Sequence, residues 1–183
     1  MQLLRRARGI LLSPRQEWDA VAAETPRIAA LFLAYVLPLT ALRCCVSIAE
    51  HAIAGNPLFG LLIGLAGIGL MFIVVLLCAV TAHFVAAAFG TVRPFARAVQ
   101  LAATAMTPVF IGNALQSTPV IGEFLAFAGA LYACSLLYTG VSVTLGVGEG
   151  RAGAFTLVVI VVLIVALGVL SFLLAGVLTM LLS

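Results

Sequence analysis

Lysine is absent from this chain, and charge of either sign is scarce: 8% of its 183 residues are charged. A soluble domain carries about 25%, so there is too little charge to cover a water-facing surface. Cysteine is sparse too. Cys44, Cys45, Cys78 and Cys134 all stand inside apolar runs, without the Cys/His spacing of a metal site. They read as small buried hydrophobes, and no metal is expected. There is no G-x-S-x-G, no H-E-x-x-H and no pair of aspartates within one apolar run. Gly146 to Gly150 is glycine-rich but follows no strand and lacks a following Lys-Ser/Thr, so it reads as a connecting loop. Catalytic groups and cofactors are therefore not expected. The arginines sit at the ends of segments and form no patch for a nucleic acid, so none is expected as a partner.

What the chain has in excess is apolar length. Hydrophobic residues make up 64%, and Ala154 to Leu182 runs without a charge, where a helix needs about 20 residues to cross a bilayer. Spans are expected at about 28–50, 59–84, 98–116, 121–145 and 154–182. The fold class that follows is all-α: a polytopic transmembrane bundle of five helices behind a short amphipathic helix. Residues 1–27 form the cytoplasmic segment and 28–183 the spanning domain. The second run continues to Phe89, about 48 Å of helix, longer than the ~30 Å hydrocarbon core, so it must tilt or protrude. Gln100, Thr104, Thr107, Asn113 and Gln116 interrupt the third run. It is read either as a span shielded by its neighbours or as a re-entrant helix, leaving four full spans.

Loop charge sets the orientation. Arg5, Arg6, Arg8, Arg15 and Arg27 precede the first span, Arg93 and Arg97 lie between the second and third, and Arg151 follows the fourth. The loops around Ala54–Pro57 and Gln116–Pro119 carry no cation. A cytoplasmic N-terminus and an outer C-terminus are expected. Leu3, Leu4, Ala7, Ile10 and Leu11 share one helical face flanked by Arg5, Arg6 and Arg8, a pattern that lies at an anionic membrane surface. The run is too short for a signal peptide. Ser13-Pro14 and Thr25-Pro26 are helix starts, with Trp18 between them as an interfacial anchor.

Small residues recur at helical spacing: Gly60, Gly64 and Gly67; Gly122, Ala126, Gly129 and Ala133; Gly168, Ser171, Ala175 and Thr179. Such faces let helices approach closely, either within one bundle or between copies. The polar residues inside the spans are few. Arg43 costs at least about 2.5 kcal/mol in hydrocarbon unless it snorkels, and Glu50 follows two turns on, with Glu123 at the same level of the membrane. Together they are a candidate polar site or, alternatively, a structural ion pair. Thr104, Thr107 and the kinking Pro108 mark a helix facing the interior, its freed carbonyls met by its own hydroxyls or by a cavity. His51 and His83 read as interfacial histidines.

Leu12-Ser13-Pro14-Arg15 before Trp18, then Tyr35-Val36-Leu37-Pro38, resembles the start of bacterial Yip1-domain proteins. Phe89-Gly90-Thr91, Arg97-Ala98-Val99-Gln100-Leu101, Thr107-Pro108, Pro119-Val120-Ile121-Gly122 and Leu136-Leu137-Tyr138-Thr139-Gly140 continue the likeness over about residues 10 to 180. The resemblance implies five transmembrane helices and a cytosolic N-terminus, and sets the membrane as a bacterial inner membrane. Pro108, Pro119, Tyr132, Tyr138 and Gly140 match the family pattern and are expected to define architecture. The long cytosolic region and Asp-Leu-Tyr-Gly-Pro type of motif of the eukaryotic members are missing, so a Rab-type GTPase is not an expected partner. The expectation is a non-enzymatic membrane organiser or adaptor whose partners are the bilayer and other membrane proteins or itself. The alternative is a small transporter, channel or lipid-translocating protein built around Arg43 and Glu123.

Overall fold

A computed structural model describes residues 2–116 and 119–182, with the side chains of residues 3–116, 121–169, 171 and 172. Two short helices, α1 (Gln2–Leu12) and α2 (Pro14–Ala23), precede five long ones: α3 (Ile28–Ile53), α4 (Pro57–Ala88), α5 (Phe95–Ala114), α6 (Pro119–Leu145) and α7 (Glu149–Leu182). Each long helix is long and apolar enough to cross a membrane. The third run, though broken at Met106, is as a whole also long and apolar enough to span, as the five-helix reading expects. Asn56 caps α4 by accepting from the Phe59 amide, with Pro57 at the first helical position. Gly55, Gly90 and Gly146 close the turns between spans in the left-handed region that other residues avoid.

Polarity decides which helix goes in the middle. Of the best spanning window of α5, 72% is buried, against 17% for α4. Every residue from Ala98 to Pro108 is buried, because Gln100, Thr104 and Thr107 find no partners in lipid. α3, α4 and α6 pack around this central helix, and α7 lies outside against α4 and α6. The uniformly apolar α4 and α7 turn their large side chains outward, Leu62, Ile73, Val161 and Ile164 among them. Cys44 and Cys78 are buried as expected, whereas Cys45 is exposed.

Glycines set the close approaches. A Cβ at Gly60 would meet the Ser47 carbonyl oxygen at 2.5 Å, and one at Gly64 would meet Cys44 Sγ at 2.5 Å, so α4 lies directly on α3. Gly129 sits against the Pro108 carbonyl, and Gly122 against Gln116. These faces are used inside the bundle. Gly67 and Gly168 differ: a Cβ at either would meet nothing within 4 Å. Of the remaining small positions on α7, the side chains of Ala175 and Thr179 lie outside the described residues.

The N-terminal pair departs from expectation. Rather than floating at a surface, α1 and α2 form a hairpin packed into one end of the bundle. Trp18 is not an interfacial anchor: its ring is 0% exposed, seated where Gly140 has no side chain, and its Nε1 donates to Thr139 Oγ1 at 3.1 Å. A helix ends with carbonyls that lack partners, and α2 has no glycine after it to close them. The spans supply the donors instead. Gln100 Nε2 donates to the Val21 carbonyl at 2.7 Å, Arg97 donates to Ala22 at 2.8 Å, and Tyr132 donates to the Leu11 carbonyl at 2.8 Å. Tyr132 is the midpoint of α6, so the hairpin reaches halfway down the bundle. Of the expected apolar face, Ala7 and Ile10 are buried, and Leu3 and Leu11 pack on the core. Leu4 stays exposed.

The Gly140 seat gives a direct prediction. Gly140→Ala places a Cβ 2.5 Å from Trp18 Cζ2 and lowers stability by about 1–3 kcal/mol, the usual cost of overpacking. Combining it with Trp18→Phe, which shortens the ring at that point, loses less than the sum of the two single changes. Thermal unfolding in detergent measures both; strict additivity would mean that the two positions do not touch.

Candidate functional site

Pro38 has no N–H to give the Ala34 carbonyl, and immediately before it α3 widens into a π turn over Phe32–Val36. Tyr35 lies in that turn, buried, and its hydroxyl is 2.6 Å from Thr107 Oγ1. Thr107 sits where α5 breaks, beside Met106 (φ −78°, ψ 0°), because Pro108 leaves the Thr104 carbonyl without an amide. Thr107 Oγ1 donates to that carbonyl at 2.7 Å. Its one proton is thus used, so Tyr35 must be the donor in the Tyr35–Thr107 bond. The Thr104 hydroxyl has no partner among the described residues. The expectation that threonine hydroxyls meet the carbonyls freed by Pro108 therefore holds in this structure, and Tyr35 completes the network. A tyrosine three residues before an intramembrane proline was the signal for it.

The second polar feature is at the opposite end of α3. Seven residues apart, Arg43 and Glu50 lie on one face, and Arg43 donates to Glu50 at 3.0 Å with both side chains about one-third exposed. A cavity of about 210 Å³ lies beside Arg43, lined also by Thr40, Gly67, Met71, Asn113 and Gln116. Gly67 leaves space there, and among the described residues the Asn113 amide bonds only the Met71 sulfur, at 3.6 Å. Such a space holds a few waters or one small polar group. Glu123 does not join it. That residue is exposed on α6, no ion pair connects it to Arg43, and it does not line the cavity.

The expected polar site is therefore two separate features: hydrogen bonds that join Tyr35, Thr107 and the Thr104 carbonyl beside Pro108, and an ion pair with its small cavity. His51 Nδ1 bonds the Ser47 carbonyl at 2.8 Å, and His83 stacks edge-on against Phe95. Of the remaining family-matching positions, Tyr138 is exposed and Pro119 opens α6.

The model of the Yip1 domain family matches residues 8–180, nearly the whole chain. No curated protein and no solved structure matches it.

Thr107→Val removes a hydroxyl with two partners and strands both the Tyr35 phenol and the Thr104 carbonyl. Its cost is about 1–3 kcal/mol. Tyr35→Phe costs less, near the ~0.6 kcal/mol typical of intramembrane hydrogen bonds. In the double variant the phenol is gone, so it is more stable than Thr107→Val alone. Denaturation in mixed micelles ranks the three; a double variant weaker than either single change contradicts the network.

Proposed function

We propose a function from one premise: the chain belongs to the Yip1 domain family and is an integral membrane protein with five helices able to span. It acts as a non-enzymatic organiser or adaptor, holding partners by helix association in the bilayer. The observation that carries this reading is the covered centre of the bundle: α5 is buried from Ala98 to Pro108, Gln100 bonds Val21 and Arg97, and Thr107 bonds Tyr35 and the Thr104 carbonyl. A permeation path needs a wet, continuous lining through the midplane. Close packing also takes up Gly60 and Gly64 of α4 and Gly129 of α6. Association therefore falls to the outward sides of α4 and α7, where Ile73 and Ile164 are exposed and Gly168 is open. Other membrane proteins or a second copy are the partners of that reading. The N-terminus and the loops bearing Arg93 and Arg151 share one end of the bundle, the cytoplasmic end of a bacterial inner membrane by the distribution of charge. Rab-type GTPases are not among the partners proposed.

A second reading, a lipid-translocating or transport protein, is favoured by one observation only, the cavity of about 210 Å³ beside Arg43. Proteoliposomes separate the two. Ion leak and fluorescent-lipid movement stay at the level of empty vesicles under the organiser reading, and a photoreactive residue at Ile164 yields one discrete protein adduct in native membranes. Lipid movement that disappears in Arg43→Leu selects the second reading instead.

A further inference from the structure

A space of about 840 Å³, larger than the cavity beside Arg43, lies between the N-terminal hairpin and the start of α3. Its polar side carries Arg5, Arg6, Arg8 and Arg27, and its apolar side is the wall of α3 at Ala30, Leu31 and Ala34. Two acids also reach it, Glu17 and Glu24. Glu24 is already occupied, 2.8 Å from Arg6. The Arg6 guanidinium lies over the Tyr35 ring, and its Nε has no hydrogen-bond partner among the described residues. The Glu17 carboxylate rests over Gly9, where any side chain would strike it. Arg5, Arg8 and Arg27 are exposed, and no carboxylate lies within 4 Å of them among the described residues. Three cations therefore converge on a space holding a single unpaired acid.

Position selects the occupant. Arg27 stands at the mouth of a spanning helix, and the apolar wall runs from it down that helix. Ala30, Leu33 and Ala34 on that helix are exposed, and so is Leu12 where it lines the cleft. Guanidinium groups pair with phosphate through paired N–H donors. A soluble phosphate would use the arginines and leave the wall bare. An anionic phospholipid uses both: its phosphodiester sits among the arginines, and its acyl chains follow α3. We propose that this cleft is a binding site for one anionic phospholipid of the phosphatidylglycerol or cardiolipin class, held between α1 and α3. This is distinct from general attraction to a charged surface, which a basic helix lying flat would show equally with any anionic headgroup around it. The site does not depend on the organiser reading. It holds equally for a transport protein.

The test uses the full chain in vesicles of phosphatidylcholine containing a minor fraction of phosphatidylglycerol, followed by gentle extraction and native mass spectrometry. Phosphatidylglycerol is expected to remain bound in one-to-one ratio, in excess over its share of the vesicle. Arg8→Gln and Arg27→Gln each lower that retention about fivefold, the scale of one cation at an anionic surface. Arg93→Gln and Arg151→Gln, which remove the same charge outside the cleft, leave it unchanged. Trp18 emission reports that each variant is folded. A photoreactive group at Leu12 identifies what covers the cleft in native membranes, a phospholipid adduct being expected. Equal loss in all four variants, no preference over phosphatidylcholine, or a polypeptide adduct at Leu12 overturns the proposal.

Discussion

A polar helix broken by proline cannot face hydrocarbon, and the whole arrangement of this chain follows from that constraint on α5. Within a bilayer each unsatisfied backbone group costs several kcal/mol. Gln100, Thr104 and Thr107 would each be stranded at a lipid surface, as would the carbonyl freed by Pro108. Burial alone does not help them, since they need partners as well as cover. Tyr35 reaches in from α3 to hold Thr107, and Thr107 closes the Thr104 carbonyl. Gly129, over the Pro108 carbonyl, and Gly112, over Leu125 and Ala126, bring α6 against the broken helix. The apolar α4 and α7 are left for the outside, where their uniform hydrophobicity suits lipid.

The same constraint explains the N-terminal hairpin. α2 ends without a capping glycine, and its last carbonyls are taken by Gln100 and Arg97 of α5. The arrangement is reciprocal. Gln100 Nε2 would lose its acceptor if α2 were removed, and the Val21 carbonyl would keep only the long bond from the Glu24 amide if Gln100 were absent. Trp18 fills the space over Gly140 and fixes the hairpin's depth, while Tyr132 closes the end of α1. The hairpin is thereby a wall of the core, with Arg5, Arg6 and Arg8 along the cleft that borders α3.

Much of this was legible in the sequence. Runs of apolar residues marked all five spans to within a few positions, because hydrocarbon thickness leaves little freedom. The polar interruptions of α5 pointed correctly to a shielded helix, and Arg43 with Glu50 two turns on gave an ion pair from helical period alone. What was not legible involves contacts between distant segments. Trp18 has the composition and position of an interfacial anchor, and only the missing side chain at Gly140, far along the chain, makes it a core residue. Glu123 was expected at the membrane level of Glu50, but spacing along separate helices does not determine direction around the bundle. Gln100 read as a flaw in a span because its partner is a backbone carbonyl, which has no sequence signature.

The account's central claim is that the hairpin completes the casing of α5, and the chain's single tryptophan reports on it without mutation. Trp18 emission in vesicles should be measured against aqueous iodide and against lipids brominated at graded depths. A ring sealed by protein gives blue-shifted emission that neither quencher reaches efficiently. Strong quenching by iodide or by bromine near the headgroups would place Trp18 at the membrane surface, and the hairpin outside the bundle.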